Sequence, residues 1–532
     1  MFILHSEEMN KLDEFAIGHI GIPQCVLMER AALGVADCIL KQFETPSVLV
    51  LSGPGNCGGD GLALARILLD KGIKVEAYLP SSIEKCKESI RNEAGYFKLF
   101  GGEILKELPE KTYDVIVDAI FGIGLNRPVK DVFLEAIEWI NFQKEKSKTH
   151  VISIDIPSGI HTDTGAVLGA AVKADETVTF SYLKPGLLLY PGKEYAGKIS
   201  VSSIGIDSLD VPGINKNTFT YDLEGTGKDN INIVRLKKRK PDGNKGTFHR
   251  ILIIAGSEKM PGAALLCSES ALRSGAGLVE LYTHEANRDL VLSSLPEVIL
   301  HTHDGISGHK DKINWSALEA FAEKDEADEI KRDRIILGDM FSRTDVVVIG
   351  PGLSKSSYAK FMVEESVLNC LKPLVLDADG INLISEEDRL KTFLKKRQGN
   401  GLVTVLTPHP AELSRLSGIS VSDLLSDYEG YVKQIAEEYG VILVGKGATT
   451  VVSDGKDVYY NLSGNDGMAT AGSGDVLAGM IGAFLLNENT CFDGVCKAVY
   501  VHGKAGDVIA EETGHRGMLA GDIIRGLKLL EE

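Results

Sequence analysis

A run of glycines ending in an aspartate stands at residues 464–486, with the sequence GNDGMATAGSGDVLAGMIGAFLL. Successive backbone amides of such a run can form an anion-binding nest at the N-terminus of a helix. Asp475 falls in the first turn of that predicted helix, where it can act as a base beside a bound phosphate. Asp is also favoured at ordinary helix N-termini, but G-S-G-D after a glycine-rich lead is an unusual cap. The pattern therefore favours phosphoryl chemistry with Asp475 as the base.

A second glycine-rich loop, GPGNCGGDG at residues 53–61, lies between an apolar run and a helical one. Ligands of α/β sheets bind at the carboxyl ends of strands, where helix amides face an anion. Asp60 lies where its carboxylate can touch a sugar or a reacting ring, although a tight turn with a helix-capping Asp would explain the same loop. The spacing is not G-x-G-x-x-G, so a standard dinucleotide fold is not implied.

Further polar residues follow other predicted strands of the first half. Asp118 precedes a loop with two glycines, Asp155 and Ser158 follow the next strand, and Lys184 follows a later one. One such Asp is more often a helix cap, but carboxylates and a lysine converging from several strand ends form a general acid/base site. We therefore predict Asp60, Asp155 and Lys184 as catalytic residues.

Glycines and polar residues also follow the predicted strands of the second half, in the sequences GPGL, DADGIN, TPHPAEL and GKGATT. Lys446, between two glycines, can neutralise a nucleotide phosphate. His409 lies between two prolines and is therefore rigidly placed. A metal-ligand role for His409 is disfavoured, because no partner His or Cys lies at a ligand spacing.

Apolar runs alternate with helical stretches in both halves, which predicts two α/β domains with mostly parallel sheets covered on both faces. Among the predicted strands are SVLVLS and HVISIDI in the first half and DVVVIG, PLVLDA and VILVGKGATTVVS in the second. A polar segment after Ile206 reads as a linker, so we predict domains at residues 1–213 and 214–532. The charged segment at residues 304–343 reads as an excursion from the core.

Composition bounds the class of protein. At 532 residues the chain is too long for one core, and 44% hydrophobic with 25% charged residues is typical of a soluble globular protein. A net charge of −18 argues against nucleic acid as a partner. Eight scattered cysteines without a C-x-x-C pair indicate reduced thiols. The chain shows no signal-peptide pattern and no apolar run of the ~18 residues that span a bilayer, so we predict a cytoplasmic protein that does not bind membranes.

The first half resembles the NAD(P)H-hydrate epimerase family over nearly all of residues 1–210. The motifs are MERAALGVADCIL, GPGNCGGDGLALARIL, VDAIFGIGL, DIPSGI and ADETVTF followed by KPG. The resemblance implies a Rossmann-like parallel sheet, interconversion of the R and S hydrates of NADH and NADPH, and a bound potassium ion. The substrate-binding residues it implies are Asn56, Cys57, Gly58, Gly59, Asp60, Gly122, Ile123, Gly124, Leu125, Asn126, Arg127, Pro128 and Asp155. The potassium site it implies lies at Cys57, Asp118 and Ser158.

Cys57 departs from the family, which usually has a second asparagine at this position. A thiol is a poor ligand for a hard, weakly bound cation, which prefers oxygen donors. Either the backbone carbonyl of Cys57 coordinates the ion or the potassium site is altered, whereas the substrate loop should be retained.

The second half resembles the ribokinase-like superfamily and, within it, the ADP-dependent (S)-NAD(P)H-hydrate dehydratase family, from about Lys245 to the C-terminus. The motifs include KGTFHRILIIAGSEKMPGAALL, RSGAGLVEL, GMATAGSGDVLAG, GHRGMLAGDII and the four strand-end sequences above. The residues implied to bind the hydrated dinucleotide are Ala263, Gly352, His409 and Asp475. Those implied to bind ADP are Lys446, Gly447, Ala448, Thr449, Thr450 and Gly474. Asp466 stands where the family often has proline, which should loosen the turn without removing a reacting group.

Together the two resemblances imply repair of NADHX and NADPHX, the hydrated cofactors. ADP and Mg²⁺ would serve phosphorylation of the C6 hydroxyl, after which phosphate leaves far more readily than hydroxide, and the products are NAD(P)H, AMP and phosphate. An epimerase on the same chain would allow both hydrates to be repaired. Two alternatives stay open: a hydroxymethylpyrimidine- or hydroxyethylthiazole-type kinase, and a first half that only binds ligand or regulates the second. We also predict a homo-oligomer.

Overall fold

The computed structural model describes residues 1–81, 83–221, 241–304 and 324–530. The chain divides into two compact units, Met1–Gly227 and Lys228–Glu532. Part of the predicted linker, residues 222–240, and part of the predicted excursion, residues 305–323, lie outside the described residues.

The first unit is built around a parallel sheet of seven strands in the order β3-β2-β1-β4-β5-β6-β7. The strands are β1 (Ser47–Ser52), β2 (Lys74–Tyr78), β3 (Glu103–Leu105), β4 (Val115–Ala119), β5 (His150–Ile154), β6 (Glu176–Phe180) and β7 (Lys198–Ser202). The α-helices are α1 (Ser6–Phe15), α2 (Gln24–Gln42), α3 (Asn56–Asp70), α4 (Glu88–Leu99), α5 (Asp131–Ser147) and α6 (Gly192–Ala196). A two-residue strand, β8 (Thr218–Phe219), follows them.

The central strands of this sheet are buried on both faces, which explains their unbroken apolar sequences. Alternate residues of β1 point to opposite sides, so Val48 and Val50 belong to one hydrophobic core and Leu49 and Leu51 to the other. Helices α2 and α3 cover the first core, and α5 covers the second. The loops that follow β1, β4 and β5 consequently meet at one edge of the sheet.

The second unit has nine strands among its described residues, in the order β11-β10-β9-β12-β13-β14-β15-β16-β17. The strands are β9 (Arg250–Ile254), β10 (Leu278–His284), β11 (Ile299–His303), β12 (Val346–Ile349), β13 (Leu374–Leu376), β14 (Thr404–Leu406), β15 (Ile442–Gly445), β16 (Thr450–Ser453) and β17 (Val458–Asn461). All neighbours from β11 to β15 are parallel, and β15, β16 and β17 pair antiparallel.

Helices flank this second sheet. Their bounds are α7 (Pro261–Arg273), α8 (Arg288–Ser294), α9 (Lys324–Arg343), α10 (Ser357–Asn369), α11 (Asp379–Ser385), α12 (Asp388–Gly399), α13 (Pro410–Ser417), α14 (Val421–Ser426), α15 (Tyr428–Tyr439), α16 (Ser473–Phe484), α17 (Cys491–Thr513) and α18 (Ala520–Leu529). Within the predicted excursion, residues from 324 onward thus form a regular helix.

The structure confirms the predicted α/β class and corrects one strand. The run VILVGKGATTVVS, predicted as a single strand, is a hairpin in which β15 turns into β16. Residues 446–449 of GKGATT form the turn, and Gly447 within it favours a reversal of the chain. No helix among the described residues is long and apolar enough to cross a membrane.

Candidate active sites

A cavity of about 730 Å³ lies at the carboxyl edge of the first sheet. Its walls come from α1, α2, and the loops after β1, β4 and β5. The predicted site residues that line it are Asn56, Cys57, Asp60, Gly122, Ile123, Gly124, Leu125, Asn126, Arg127 and Asp155. Gly58, Gly59, Pro128, Asp118, Ser158 and Lys184 do not line it. The cavity therefore brings together most of the predicted substrate loops, each from a different strand end.

Asp155 and Lys184 form a buried ion pair at this edge. The Lys184 side chain is fully buried, and its Nζ donates to Asp155 Oδ1 at 2.5 Å, to Thr179 Oγ1 at 2.8 Å and to the Phe180 carbonyl at 3.0 Å. Asp155 itself has a left-handed backbone with φ 66°, an uncommon conformation for a side-chain-bearing residue. These contacts fix the carboxylate at the cavity wall, whereas Lys184 is fully buried and does not line the cavity.

Three further carboxyl residues, Asp13, Glu14 and Asp60, line the same cavity, and two of them have raised pKa values. Burial, followed by the charges of Asp155 and Asp13, raises the pKa of Asp60 well above its ordinary value. Burial and the charge of Asp155 also raise the pKa of Asp13 to about 6, while Lys184 partly opposes that shift. The cavity thus contains two carboxyl groups with raised proton affinity beside a third that is paired with a lysine, and carboxyl groups in such unlike surroundings are typical of an acid/base site.

The three side chains predicted to hold potassium do not fit that ion in this arrangement. Asp118 is buried, and its two oxygens accept from Ser153 Oγ (2.8 Å), Ser158 N–H (2.8 Å), Ser158 Oγ (2.5 Å) and Ile120 N–H (3.3 Å), which uses about all of its lone-pair sites. Burial and neighbouring carboxylates raise the pKa of the Cys57 thiol well above its ordinary value. A neutral thiol and a saturated carboxylate are poor ligands for a hard cation.

Asp475 occupies the first turn of α16 in the second unit, as predicted. The N-cap residue, Gly472, offers no side-chain acceptor, so amides at this helix end are available to an anion. Burial raises the pKa of Asp475 to about 7, with a further contribution from the charges of Asp377 and Asp379, although Lys446 opposes them. A carboxylate that titrates near neutral pH beside an anion-binding helix end is suited to act as a general base.

Lys446 is held next to this helix end by Asp377. Its Nζ donates to Asp377 Oδ1 at 2.9 Å, and Thr407 Oγ1 donates to the same oxygen at 2.5 Å. Burial opposes the charge on Lys446, but Asp377 and Glu412 outweigh it and raise its pKa. A β-carbon on Gly474 would lie 3.3 Å from the Lys446 Nζ, so the missing side chain lets the ammonium approach the helix. Lys446 is thus a fixed positive charge.

The other predicted residues of the second site have contacts of three kinds. Gly352 lies against Ala263, because a β-carbon on Gly352 would come within 2.7 Å of the Ala263 Cβ. His409 is the N-cap of α13, and its Nδ1 accepts from the N–H groups of Ala411 at 3.1 Å and Glu412 at 3.4 Å. Its Nε2 therefore carries the proton on an exposed side chain. The predicted nucleotide residues Gly447, Ala448, Thr449 and Thr450 belong to the β15–β16 hairpin.

Sequence reasoning missed two groups of the sites. Asp13 lies on α1 next to the buried Met9 and Leu12, and near Ala16, which follows the helix. A carboxylate on this otherwise apolar stripe is the sequence feature that could have identified Asp13 as a site residue. Asp377 stood in the noted sequence DADGIN without a role. It lies directly after β13, at the carboxyl end of that strand, much as Asp118 lies near the carboxyl end of β4.

Two family models match the chain. One, described as NAD(P)H-hydrate dehydratase, matches residues 251–528, and one described as YjeF-related protein N-terminus matches residues 24–186. A bifunctional NAD(P)H-hydrate repair enzyme of Thermofilum pendens is 35% identical, over 97% of this chain and 94% of its own. Its Escherichia coli counterpart is 34% identical, over 99% of this chain and 93% of its own. A solved Bacillus subtilis ADP/ATP-dependent NAD(P)H-hydrate dehydratase, co-crystallised with ATP and Mg²⁺, is 29% identical, covering 56% of this chain and 94% of its own with a TM-score of 0.44. The family predicted from the motifs is confirmed: the chain belongs to the bifunctional NAD(P)H-hydrate repair enzymes.

Proposed function

We propose that the first unit epimerises the R and S hydrates of NADH and NADPH, and that the second unit dehydrates the S hydrate with ADP as phosphoryl donor. The products of the second reaction are NAD(P)H, AMP and phosphate. The observation that carries the proposal is Asp475, whose pKa of about 7 belongs to a carboxylate at a helix end that can bind phosphate. Full-length likeness to bifunctional repair enzymes supports the pairing of the two activities.

Asp475 acts as the base of phosphoryl transfer in this proposal. It removes the proton of the C6 hydroxyl, whose oxygen attacks the terminal phosphorus of ADP while the bond to AMP breaks. The amides at the start of α16 and the Lys446 ammonium stabilise the transferring phosphoryl group. The C6–O bond then breaks, phosphate takes the electron pair, and the lone pair of the ring nitrogen assists. Loss of a proton from C5 restores the dihydronicotinamide ring.

The binding residues of the second site remain as predicted. We assign the hydrated dinucleotide to Ala263, Gly352, His409 and Asp475, and the adenine nucleotide to Lys446, Gly447, Ala448, Thr449, Thr450 and Gly474. The contact of Gly352 with Ala263 and the placement of Gly474 beside Lys446 support these groupings.

Mg²⁺ would neutralise charge on the phosphates of ADP. Among the described residues, no group of three or more His, Cys, Asp or Glu side chains is arranged to hold a metal. That suits Mg²⁺, which is commonly bound by one or two carboxylates together with substrate phosphates. Asp379 is the candidate carboxylate, because its charge acts on Asp475 and its Oδ2 accepts a hydrogen bond from the Ser354 N–H at 2.7 Å.

The first-unit cavity is the proposed epimerase site. Asp60 and Asp155 reach the substrate directly, and the loops at residues 56–60 and 122–128 bind it. Arg127 and Lys87, which both line the cavity, are the cations available to its phosphates. Potassium, a homo-oligomeric state, a cytoplasmic location and domain bounds of 1–213 and 214–532 remain predictions. Potassium has no part in the epimerisation steps proposed for this cavity, since the side chains predicted to hold the ion do not fit it.

Replacement of Asp475 by Asn tests the division of labour. We expect Asp475→Asn to abolish ADP-dependent recovery of the near-ultraviolet absorbance of NADH from its S hydrate. Interconversion of R and S hydrates, followed by chromatography without ADP, should be unchanged. Equal loss of both activities would contradict two separate sites, and a phosphorylated product that persists would instead indicate a small-molecule kinase.

A further inference from the structure

We propose that Asp13 and Asp155 form the acid–base pair that inverts C6 of the hydrated nicotinamide ring. This inference rests on the epimerase function proposed above and adds Asp13 to its catalytic residues. Asp13 comes from the N-terminal helix α1, far in sequence from the glycine-rich loop, and lines the same cavity as Asp155.

The hydrogen bonds of the two carboxylates differ. Asp155 Oδ1 accepts from Lys184 Nζ at 2.5 Å, from Thr179 Oγ1 at 2.9 Å and from the Phe180 N–H at 3.3 Å. Among the described residues, neither Asp155 Oδ2 nor the half-buried Asp13 carboxylate takes part in a hydrogen bond to another residue. Each residue therefore offers the cavity an oxygen that is free to exchange a proton with a ligand.

The surroundings of Asp13 make it the natural proton donor of the pair. Asp13 interacts electrostatically with three charged or titratable groups from other elements. These are Asp155, which follows β5, Lys184, which follows β6, and Asp60 on α3. Burial and the Asp155 charge raise the pKa of Asp13 to about 6, close to neutral pH, where an acid that must gain and lose a proton works best. The pKa of Asp60 is raised well above the ordinary value, so Asp60 holds its proton and is suited to donating a hydrogen bond.

Inversion at C6 can proceed by departure and return of water. Asp13 donates its proton to the C6 hydroxyl, the C6–O bond breaks, and water leaves with the electron pair. The lone pair of the ring nitrogen forms a C6=N1 double bond. Water then attacks C6 on the opposite face and gives a proton to Asp155, while the double-bond pair returns to nitrogen. In the reverse direction Asp155 is the acid and Asp13 the base. The R and S hydrates are therefore protonated by different carboxyl groups.

The charge of the cavity favours this route over one through an anion. A cation at C6 and N1 would lie among the carboxyl groups of Asp13, Asp60 and Asp155. Lys184 does not line the cavity, and the basic residues that do, Lys87 and Arg127, are the ones available to the phosphates of the substrate. The negative charge comes from Asp155 and, once it has given its proton to the hydroxyl, from Asp13. Negative charge fixed in the cavity stabilises developing positive charge more strongly than water does. Pairs of carboxyl groups on opposite sides of a sugar ring serve glycoside hydrolysis in the same way.

The test is interconversion of pure R hydrate by the full-length chain, followed by chromatography without ADP. We expect Asp13→Asn to lower kcat by about 10²–10⁴-fold with little change in KM, and Asp13→Glu to recover part of the loss. Glu7→Gln, on the exposed face of the same helix, is the matched control and should behave as wild type. ADP-dependent dehydration of pure S hydrate, a reaction of the second unit, should remain unchanged in all three variants. Cooperative urea unfolding of the first unit, as in wild type, shows that the unit carrying the substitutions is folded.

The outcomes separate this inference from the proposed function. If wild type does not interconvert the hydrates, the epimerase function is wrong. If wild type does and Asp13→Asn stays within about fivefold of it, Asp13 is not the acid, since acid catalysis contributes far more. A second readout uses water labelled with oxygen-18. Each inversion should place one solvent oxygen at C6, and retention of the original oxygen would overturn the departure and return of water.

Discussion

Asp475 should destabilise the second unit above neutral pH, and Asp475→Asn should therefore stabilise it there. Burial and the charge of Asp377 raise the pKa of Asp475 from an ordinary value of 3.8 to about 7. The folded state thus holds a proton that the unfolded state releases. Stability attributable to this group falls as pH rises from about 4 to about 7 and is constant on either side of that window.

The size of the effect follows from the shift. A difference of about three pH units corresponds to about 4 kcal/mol at 1.36 kcal/mol per unit, and Asp475 is partly exposed, so water reduces it to about 2–4 kcal/mol. Asn also gives up the favourable contact of a carboxylate with the helix N-terminus, about 0.3–1 kcal/mol. We therefore expect a net gain of about 1–3 kcal/mol at about pH 8 and no gain at about pH 4.

The free energy of unfolding of the second unit can be measured by urea unfolding of the full-length chain, with a brief protease pulse to digest the unfolded molecules. Each unit is followed by its own surviving fragment, so the second unit can be compared at the two pH values. Glu297→Gln, which removes an exposed loop carboxylate from the same unit, is the control and should change little at either pH. A stability difference between Asp475→Asn and wild type that is the same at both pH values would refute the reasoning, because the proposed cost arises only when the carboxylate ionises.

Two other predictions concern the ion pairs that hold the sites. Lys184→Met leaves Asp155 buried without its cation, so the first unit should lose about 3–5 kcal/mol of stability. Adding Asp155→Asn should restore part of that loss in urea unfolding, and equal losses in the single and double variants would contradict the coupling. Asp377→Asn removes a negative charge near Asp475 and releases Lys446, and both changes lower the pKa of Asp475. The acid limb of kcat against pH for dehydration should move to lower pH by about one unit or more, and an unmoved limb would show that Asp377 does not act on the base.

The sequence predicts the sheets well because burial on both faces leaves a simple pattern. The inner strands, such as Val346–Ile349, are continuous apolar runs, and the glycine-rich loops that follow strands fall at the carboxyl edge where ligands bind. The hairpin at GKGATT was missed because its two strands are joined by a four-residue turn and both are apolar. Apolar content alone does not reveal where a strand reverses.

The pKa values of the site residues could not be predicted from the sequence. The apolar stripe of α1 could have singled out Asp13 among the acidic residues of that helix, but its raised pKa depends on its approach to Asp155 across the cavity. The sequence predicts Lys184 as a catalytic residue, but it does not reveal that the side chain is completely buried and paired with Asp155. Burial and neighbours contributed by distant elements determine these roles, and neither is a local property of the chain.

The turn at Gly464–Met468 shows why a substitution near a reacting group can leave the site intact. Asp466, at a position where the family resemblance implies a proline, accepts a hydrogen bond from His515, which lowers its pKa. Both side chains are largely exposed, and ion pairs in water contribute little to stability. The turn is instead held by Asp507, which accepts from the Gly464 N–H at 3.0 Å and from Asn465 Nδ2 at 3.1 Å, and by Asn465 Oδ1, which accepts from the Gly467 N–H at 3.0 Å. Because these bonds do not involve the side chain of residue 466, the path of the chain towards Asp475 does not depend on the proline.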